Sequence, residues 1–191
     1  MNQKTTFNEY KTSLWKLSET IIVECPKCNS RARIKDSKVS CLSCGFNKKT
    51  ENSKNWYGPL YGCTGRNCAR CGQFINKFFN EDKEIEHFNL KCHGCGNITK
   101  EKITWHPQRH VGHDPYFGIK LYLHTEYKNH ILWAYNHEHL SFMKNYIESS
   151  IRAREPNSNG SMASRFPKWM KEKKNRDSIL KEIQKLELKQ D

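Results

Sequence analysis

Nine cysteines stand in the 191 residues, and eight of them fall into four C-x-x-C pairs: Cys25–Cys28, Cys41–Cys44, Cys68–Cys71 and Cys92–Cys95. Such a turn directs two thiolates at one point, and two turns close a tetrahedron round one metal ion. The residue after the second cysteine commonly sits at positive φ, where glycine is cheapest and asparagine is tolerated. Here those residues are Asn29, Gly45, Gly72 and Gly96. The ninth cysteine lies in "CTGRNCARCG" at 63–72. Cys63 and Cys68 are five apart and Ala69 follows Cys68, so that pair lacks both the spacing and the positive-φ residue. Cys63 is the one left over.

The pairs predict two four-cysteine sites, each holding a structural Zn2+. Twelve residues separate the pairs of the first site and twenty those of the second. Four thiolates fill the tetrahedron and leave no place for a catalytic water. Each site with its ion carries −2, so the formal charge of +13 falls to about +9 with both loaded. Lys27, Arg70 and Lys91 stand beside the cysteines and offset that local charge. Cys63 reads as a packed small residue, because no neighbouring base identifies it as a nucleophile.

The elements that must carry these sites are short. "FINKFF" and "IEHFNLKC" flank the polar "NEDKE" and read as a hairpin. Before the first site, Phe7, Tyr10, Leu14 and Leu17 share a helical face, and Thr6 with Glu9 makes a capping box. "IKLYLHTEYKNHILWAYN" reads as two strands turning near Lys128 and Asn129. Asn136 is placed to cap a helix with Leu140, Met143, Tyr146 (or Ile147) and Ile151 as its stripe. Further helical stretches follow round "MASRFPKWMKEKK" and "NRDSILKEIQKLEL". The expected fold is a small α+β zinc-bound protein. It comprises an N-terminal amphipathic helix (1–22), tandem four-cysteine zinc ribbons of short antiparallel strands (23–50 and 56–105) and a C-terminal hairpin with helices (113–191). Modules of this size bury too little apolar surface to fold without metal.

"DPYFGIKLYLHT", "LWAYNHEHLSFMKNYI", "SMASRFPKWMKEKKNRD" and "ILKEI" together resemble bacterial proteins known only as containing a transcription-factor-IIB-type zinc ribbon. The resemblance is most specific over residues 113–184. Members of that family often carry a paired cysteine in the hairpin, where this chain has "EYKNH" at 126–130. The family label implies a zinc-binding shape and a bacterial source, and no activity.

Nine histidines raise the alternative of a third metal site, from His106, His110 and His113 beside Asp114 or from "HEH" at 137–139. The spacing of a helical zinc protease and the pattern of a zinc deaminase are both missing, so these histidines are expected to cap turns and helix starts or to sit on the surface. No Walker A sequence, dinucleotide glycine motif or catalytic triad stands in the chain, and no small-molecule substrate is indicated. No run of eighteen apolar residues exists, and "MNQKTTFNEYK" has no apolar core of the signal-peptide kind, so a cytoplasmic protein without a membrane partner is expected.

The basic balance points to polyanions. Residues 1–50 hold ten basic and four acidic side chains, and 151–191 hold eleven and six. Arg31, Arg33, Lys35 and Lys38 lie within the first site's span, with Trp56, Tyr57 and Tyr61 between the two sites. Arg165, Lys168, Lys171, Lys173, Lys174 and Arg176 surround Trp169. Phosphates would meet the cations and unpaired bases the aromatics. The expected function is a non-catalytic zinc-ribbon protein that contacts nucleic acid. The alternative is an interaction module, such as an inhibitor or immunity-type partner of another, acidic protein, docking through "DPYFGIKLYLH" and "ILWAYN".

Overall fold

The structure, a computed structural model, describes residues 7, 12–14, 16–50, 55–80, 85–149 and 161–189. It is a small α+β protein with antiparallel sheets and, among the described residues, four α-helices. The first sheet is a meander of β1 (Thr20–Glu24), β2 (Arg31–Lys35), β3 (Lys38–Ser40) and β4 (Asn47–Lys49). Asp36 and Ser37 join β2 to β3 at φ +50° and +58°, both in the left-handed region that two-residue hairpin turns require.

The second half of the sheet structure departs from the expected hairpin. β5 (Leu60–Asn67) pairs with β6 (Phe74–Phe79), while β7 (His87–Lys91) pairs with β8 (Ile98–Lys102). "FINKFF" and "IEHFNLKC" are therefore not partners; each pairs across a cysteine turn instead of across "NEDKE". β9 (Thr104–Pro107) returns to the free edge of β5. The strand about Cys63 supplies the partner that the sequence reading lacked.

β10 (Leu123–Tyr127) and β11 (His130–Ala134) form the expected hairpin, with Lys128 at φ +54° in its turn. α1 (His137–Glu148) follows and is capped by Asn136, whose side chain accepts from the His139 amide at 2.8 Å. Asn136 Nδ2 also donates to the Leu17 and Thr20 carbonyls, which ties the helix start to the chain entering β1. The stretch round "MASRFPKWMKEKK" is two short helices, α2 (Met162–Arg165) and α3 (Lys168–Lys171), because Pro167 has no amide to continue the first. α4 (Arg176–Glu187) buries Ile179, Ile183 and Leu186 at helical spacing. The helix expected over 1–22 falls largely outside the described residues. Within them, Lys16–Ser18 makes one 3-10 turn and Thr20–Glu24 is strand.

One core joins α1 and α4 to the hairpin through Leu123, Leu132, Leu140, Ile147, Ile179 and Ile183. A second lies on one face of the first sheet, where Ile21, Val23, Ala32, Ile34 and Val39 meet Phe117, Ile119 and Leu121. The first sheet and the C-terminal elements thus share a core, and Ile22 accepts and donates backbone bonds with Tyr122 and Tyr135. The apolar residues of "DPYFGIKLYLH" and "ILWAYN" are this packing: Phe117, Leu121, Leu123, Leu132 and Ala134 are at most 1% exposed. Tyr116 and Ile131 of the same segments remain exposed.

Asp114 organises the loop that delivers Phe117 and Ile119. Its carboxylate is 2% exposed and accepts the amides of Tyr116 and Phe117 at 2.8 Å and of Ile119 at 2.6 Å. Asp114→Ala strands three amides in or near the core and should cost about 3 kcal/mol or more. Urea denaturation of both proteins measures it, and a loss below about 1 kcal/mol would refute the account.

Candidate metal centres and a basic face

The four cysteine turns are built alike. In each, the first cysteine's amide donates to the carbonyl five residues on: Cys25 to Ser30, Cys41 to Phe46, Cys68 to Gln73 and Cys92 to Asn97, all at 2.7–2.8 Å. In each, the amide four residues on donates back to the cysteine carbonyl, from Asn29, Gly45, Gly72 and Gly96. Those four residues sit at φ +59°, +70°, +77° and +73°, as their types require. A strand enters and a strand leaves every turn, so hairpin pairing fixes the direction of both sulfurs.

The turns meet in two groups. Cys25, Cys28, Cys41 and Cys44 place their sulfurs within 4.8 Å of one another, and Cys68, Cys71, Cys92 and Cys95 do the same. The closest pairs are 3.6–3.7 Å apart: Cys25 with Cys44, Cys28 with Cys41, Cys68 with Cys95 and Cys71 with Cys92. A tetrahedral ion held by sulfur at about 2.3 Å demands edges of about 3.8 Å. The donor set fits such an ion at both sites, so the chain can hold two.

Without metal, each group crowds thiols that cannot all ionise. Hydrogen bonds from the Ser30 side chain and amide hold Cys28 down at about 6. The Cys71 and Arg70 amides do the same for Cys68, also at about 6. Their neighbours go the other way. The Phe46 amide pulls Cys44 down, but burial and the adjacent thiols push it up to about 12. The Gln73 amide pulls Cys71 down, but Cys92, Cys95 and burial push it up to about 12. A cation that replaces the retained protons relieves this repulsion.

Cys63 stands apart, in β5 opposite Phe78 and Thr104 and half-buried. Among the described residues the histidines form no third group. His110 and His113 lie 6.0 Å apart ring to ring, while Asp114 is turned to its amides. His139 serves the helix start instead: its Nδ1 accepts from the Tyr135 amide at 3.2 Å while its own amide donates to Asn136.

The expected cations fall into two very different settings. Arg31, Arg33 and Lys35 alternate along β2 on the face opposite its buried Ala32 and Ile34. Lys35 lies directly across from Lys38, and Lys38 directly across from Lys49. Lys49 was missed by sequence reasoning, since only the register reveals that "NKK" returns beside "KVS". At the other end of the chain the six cations do not form one face. Lys171 donates to the Ser164 carbonyl and Arg176 to the Ser149 carbonyl, and Lys174 pairs with Glu172. Arg165, Lys168 and Lys173 are exposed, while Phe166 and Met170 are buried and Trp169 stacks on Tyr127 and His130.

The aromatics between the sites divide likewise. Trp56 packs against Gly118, where a Cβ would meet its ring at 2.6 Å, and Tyr57 sets its ring edge-on to Phe46. Tyr61 is on an exposed strand face. Among the described residues no helix is long and apolar enough to cross a membrane. No protein-family profile, no curated protein and no solved structure matches the chain.

Proposed function

We propose that the chain is a non-catalytic zinc-ribbon protein of bacterial type that contacts nucleic acid through the basic face of β2, β3 and β4. In this reading each cysteine group holds one structural Zn2+, and each ribbon consists of two strand–turn–strand arms closed by the ion. With four thiolates in place the ion has no position for a reacting water.

The observation that carries the nucleic-acid reading is the row Lys35, Lys38 and Lys49, directly opposed on one exposed face with Arg33 alongside. Like charges directly across a sheet destabilise it, and an anion laid along the row would relieve that repulsion. Among the described residues, Asp36 in the adjoining turn, Glu19 beside the strand partner of Lys35 and Glu24 opposite Arg31 are the nearby acids, at the margins of the row. A phosphate backbone supplies the complementary charge in a line.

The test is the salt dependence of binding. Zinc-loaded protein should bind mixed nucleic acids with an affinity that falls steeply as salt rises. Lys35→Gln, Lys38→Gln and Lys49→Gln together should lower the slope of log affinity against log salt by about 2 to 3 units. An unchanged slope would refute the basic-face reading. A single protein recovered from the native lysate at high salt, and surviving nuclease, would replace it with the interaction-partner alternative.

A further inference from the structure

The sheet of β6, β5 and β9 has one face packed and one bare. Ile75 and Phe79 are buried on the packed side, with Trp105 bonding its indole nitrogen to the Ile85 carbonyl. The register places Tyr61, Cys63, Gly65 and Asn67 of β5 on the bare side, next to Phe74, Asn76 and Phe78 of β6 and Thr104 and His106 of β9. Phe74 and Phe78 are 63% and 64% exposed, values that burial in this protein's own core does not explain.

The composition of this face is specific. Among the described residues it holds four rings and no aliphatic or acidic side chain. Phe74 and Phe78 are four residues apart on one strand, about 13 Å. Phe78 faces Cys63, so Tyr61 lies diagonally from it at about 7–8 Å. Tyr61 stacks on His106 with ring centroids 5.2 Å apart and planes at 29°. The Phe74 ring reaches over Gly65, where a Cβ would come within 3.3 Å of its Cζ. Asn67, Asn76 and Thr104 lie among the rings with polar groups that can meet base edges. Exposed cations stand at both ends, Arg70 in the turn before Phe74 and Arg109 just beyond His106.

We infer that this face is a stacking platform for unpaired nucleobases, so that the nucleic acid of the preceding reading is single-stranded where it crosses β6 and β5. Separate rings divided by amides, with a cation at each end, suit successive bases and their phosphates. Phosphates are met at the rim by Arg70 and Arg109, and the rings between them are left to the bases.

The inference rests on the nucleic-acid reading, and the experiment separates the two. Zinc-loaded protein is titrated with an oligothymidylate of about twelve residues and with a duplex of the same length. Phe74→Ala with Phe78→Ala should weaken single-strand binding by at least about tenfold, with the salt slope unchanged and duplex binding unaffected. Both rings are largely exposed, so two metal equivalents and an unaltered thermal midpoint are expected in that variant. Phe74→Trp with Phe78→Trp should restore binding. Cys63, outside both metal groups, gives a second readout: its modification by a thiol reagent, mapped by mass spectrometry, should be slowed by the single strand and not by the duplex. Single-strand affinity unchanged by the alanine pair would overturn the platform, whatever the basic face does. If neither oligonucleotide binds the unaltered protein, the nucleic-acid reading fails and takes the platform with it.

Discussion

A Cys68→Ser protein should bind one equivalent of metal instead of two, and its residues 60–107 should lose protection against amide hydrogen exchange. The expectation follows from how little else holds that region. Its buried cluster comprises Ile75, Leu90, Cys68 and Cys92, and two of those four belong to the second cysteine group. Free energies of binding for structural zinc in small peptides are about 10–16 kcal/mol at neutral pH, most of it expressed as folding. Ile75, Phe79, Leu90 and Ile103 are the buried apolar side chains of the region besides the cysteines, and at about 2 kcal/mol each they offer about 8 kcal/mol, short of the metal's contribution. A metal ion bound there would therefore decide whether β5 to β9 hold together.

The first site should behave differently. Its sheet buries Ile21, Val23, Ala32, Ile34 and Val39 against Phe117, Ile119 and Leu121, and β1 is clipped by backbone bonds to Tyr122 and Tyr135. Cys25→Ser should also release one ion, but exchange protection should persist in β1 and in α1 and α4. Chelation of both ions should reproduce the two effects side by side, and Cys63→Ser should change neither the metal count nor the protection. Native mass spectrometry and exchange measurements on the three variants check all of this. Equal loss of protection in both halves after Cys25→Ser would refute the asymmetry, and release of metal by Cys63→Ser would refute the ligand assignment.

That asymmetry also marks what the sequence could and could not disclose. The two cysteine groups were legible because each cysteine turn is local: its spacing, its positive-φ residue and its two backbone bonds all lie within six residues. The hairpin at Lys128 and the cap at Asn136 were legible for the same reason. Strand partnership in the second half was not, since β6 chooses between β5 and β7 by contacts far apart in the chain. "FINKFF" carries the same alternation in either pairing, and only closure of the cysteine turn by β5 settles it. The basic row was half visible, as Arg33, Lys35 and Lys38 alternate within one segment while Lys49 joins them through register. The platform face was hidden for the same reason: Phe74, Tyr61 and His106 come from three strands. In the C-terminal segment, charge pattern could not distinguish free cations from Lys171 and Arg176, whose bonds go to distant carbonyls.

The second large effect should appear in acid. His139 is 1% exposed, enclosed by the Trp133 and Tyr135 rings at 5.6 and 5.7 Å, and burial pushes it down to about 3. In the unfolded chain the same imidazole takes a proton near 6.5. Between those values the unfolded state binds the proton and the folded state does not, so stability falls as pH falls. The slope from this group is at most about 1.4 kcal/mol per pH unit, roughly 5 kcal/mol across the whole window. Above pH 6.5 both states are neutral and the group contributes no pH dependence. Acid also competes with metal for the thiolates, so the total loss is not a measure of His139 alone. The comparison with His139→Gln isolates it, because glutamine keeps a neutral acceptor near the Tyr135 amide and has no proton to gain. Urea midpoints of the two metal-saturated proteins at pH 7.5, 6 and 5 should converge as pH falls, the variant being the less stable at the top of the range and losing less below. Parallel curves would mean that the ring is hydrated or protonated in the folded protein, and the bond from the Tyr135 amide to His139 Nδ1 would then need a different description.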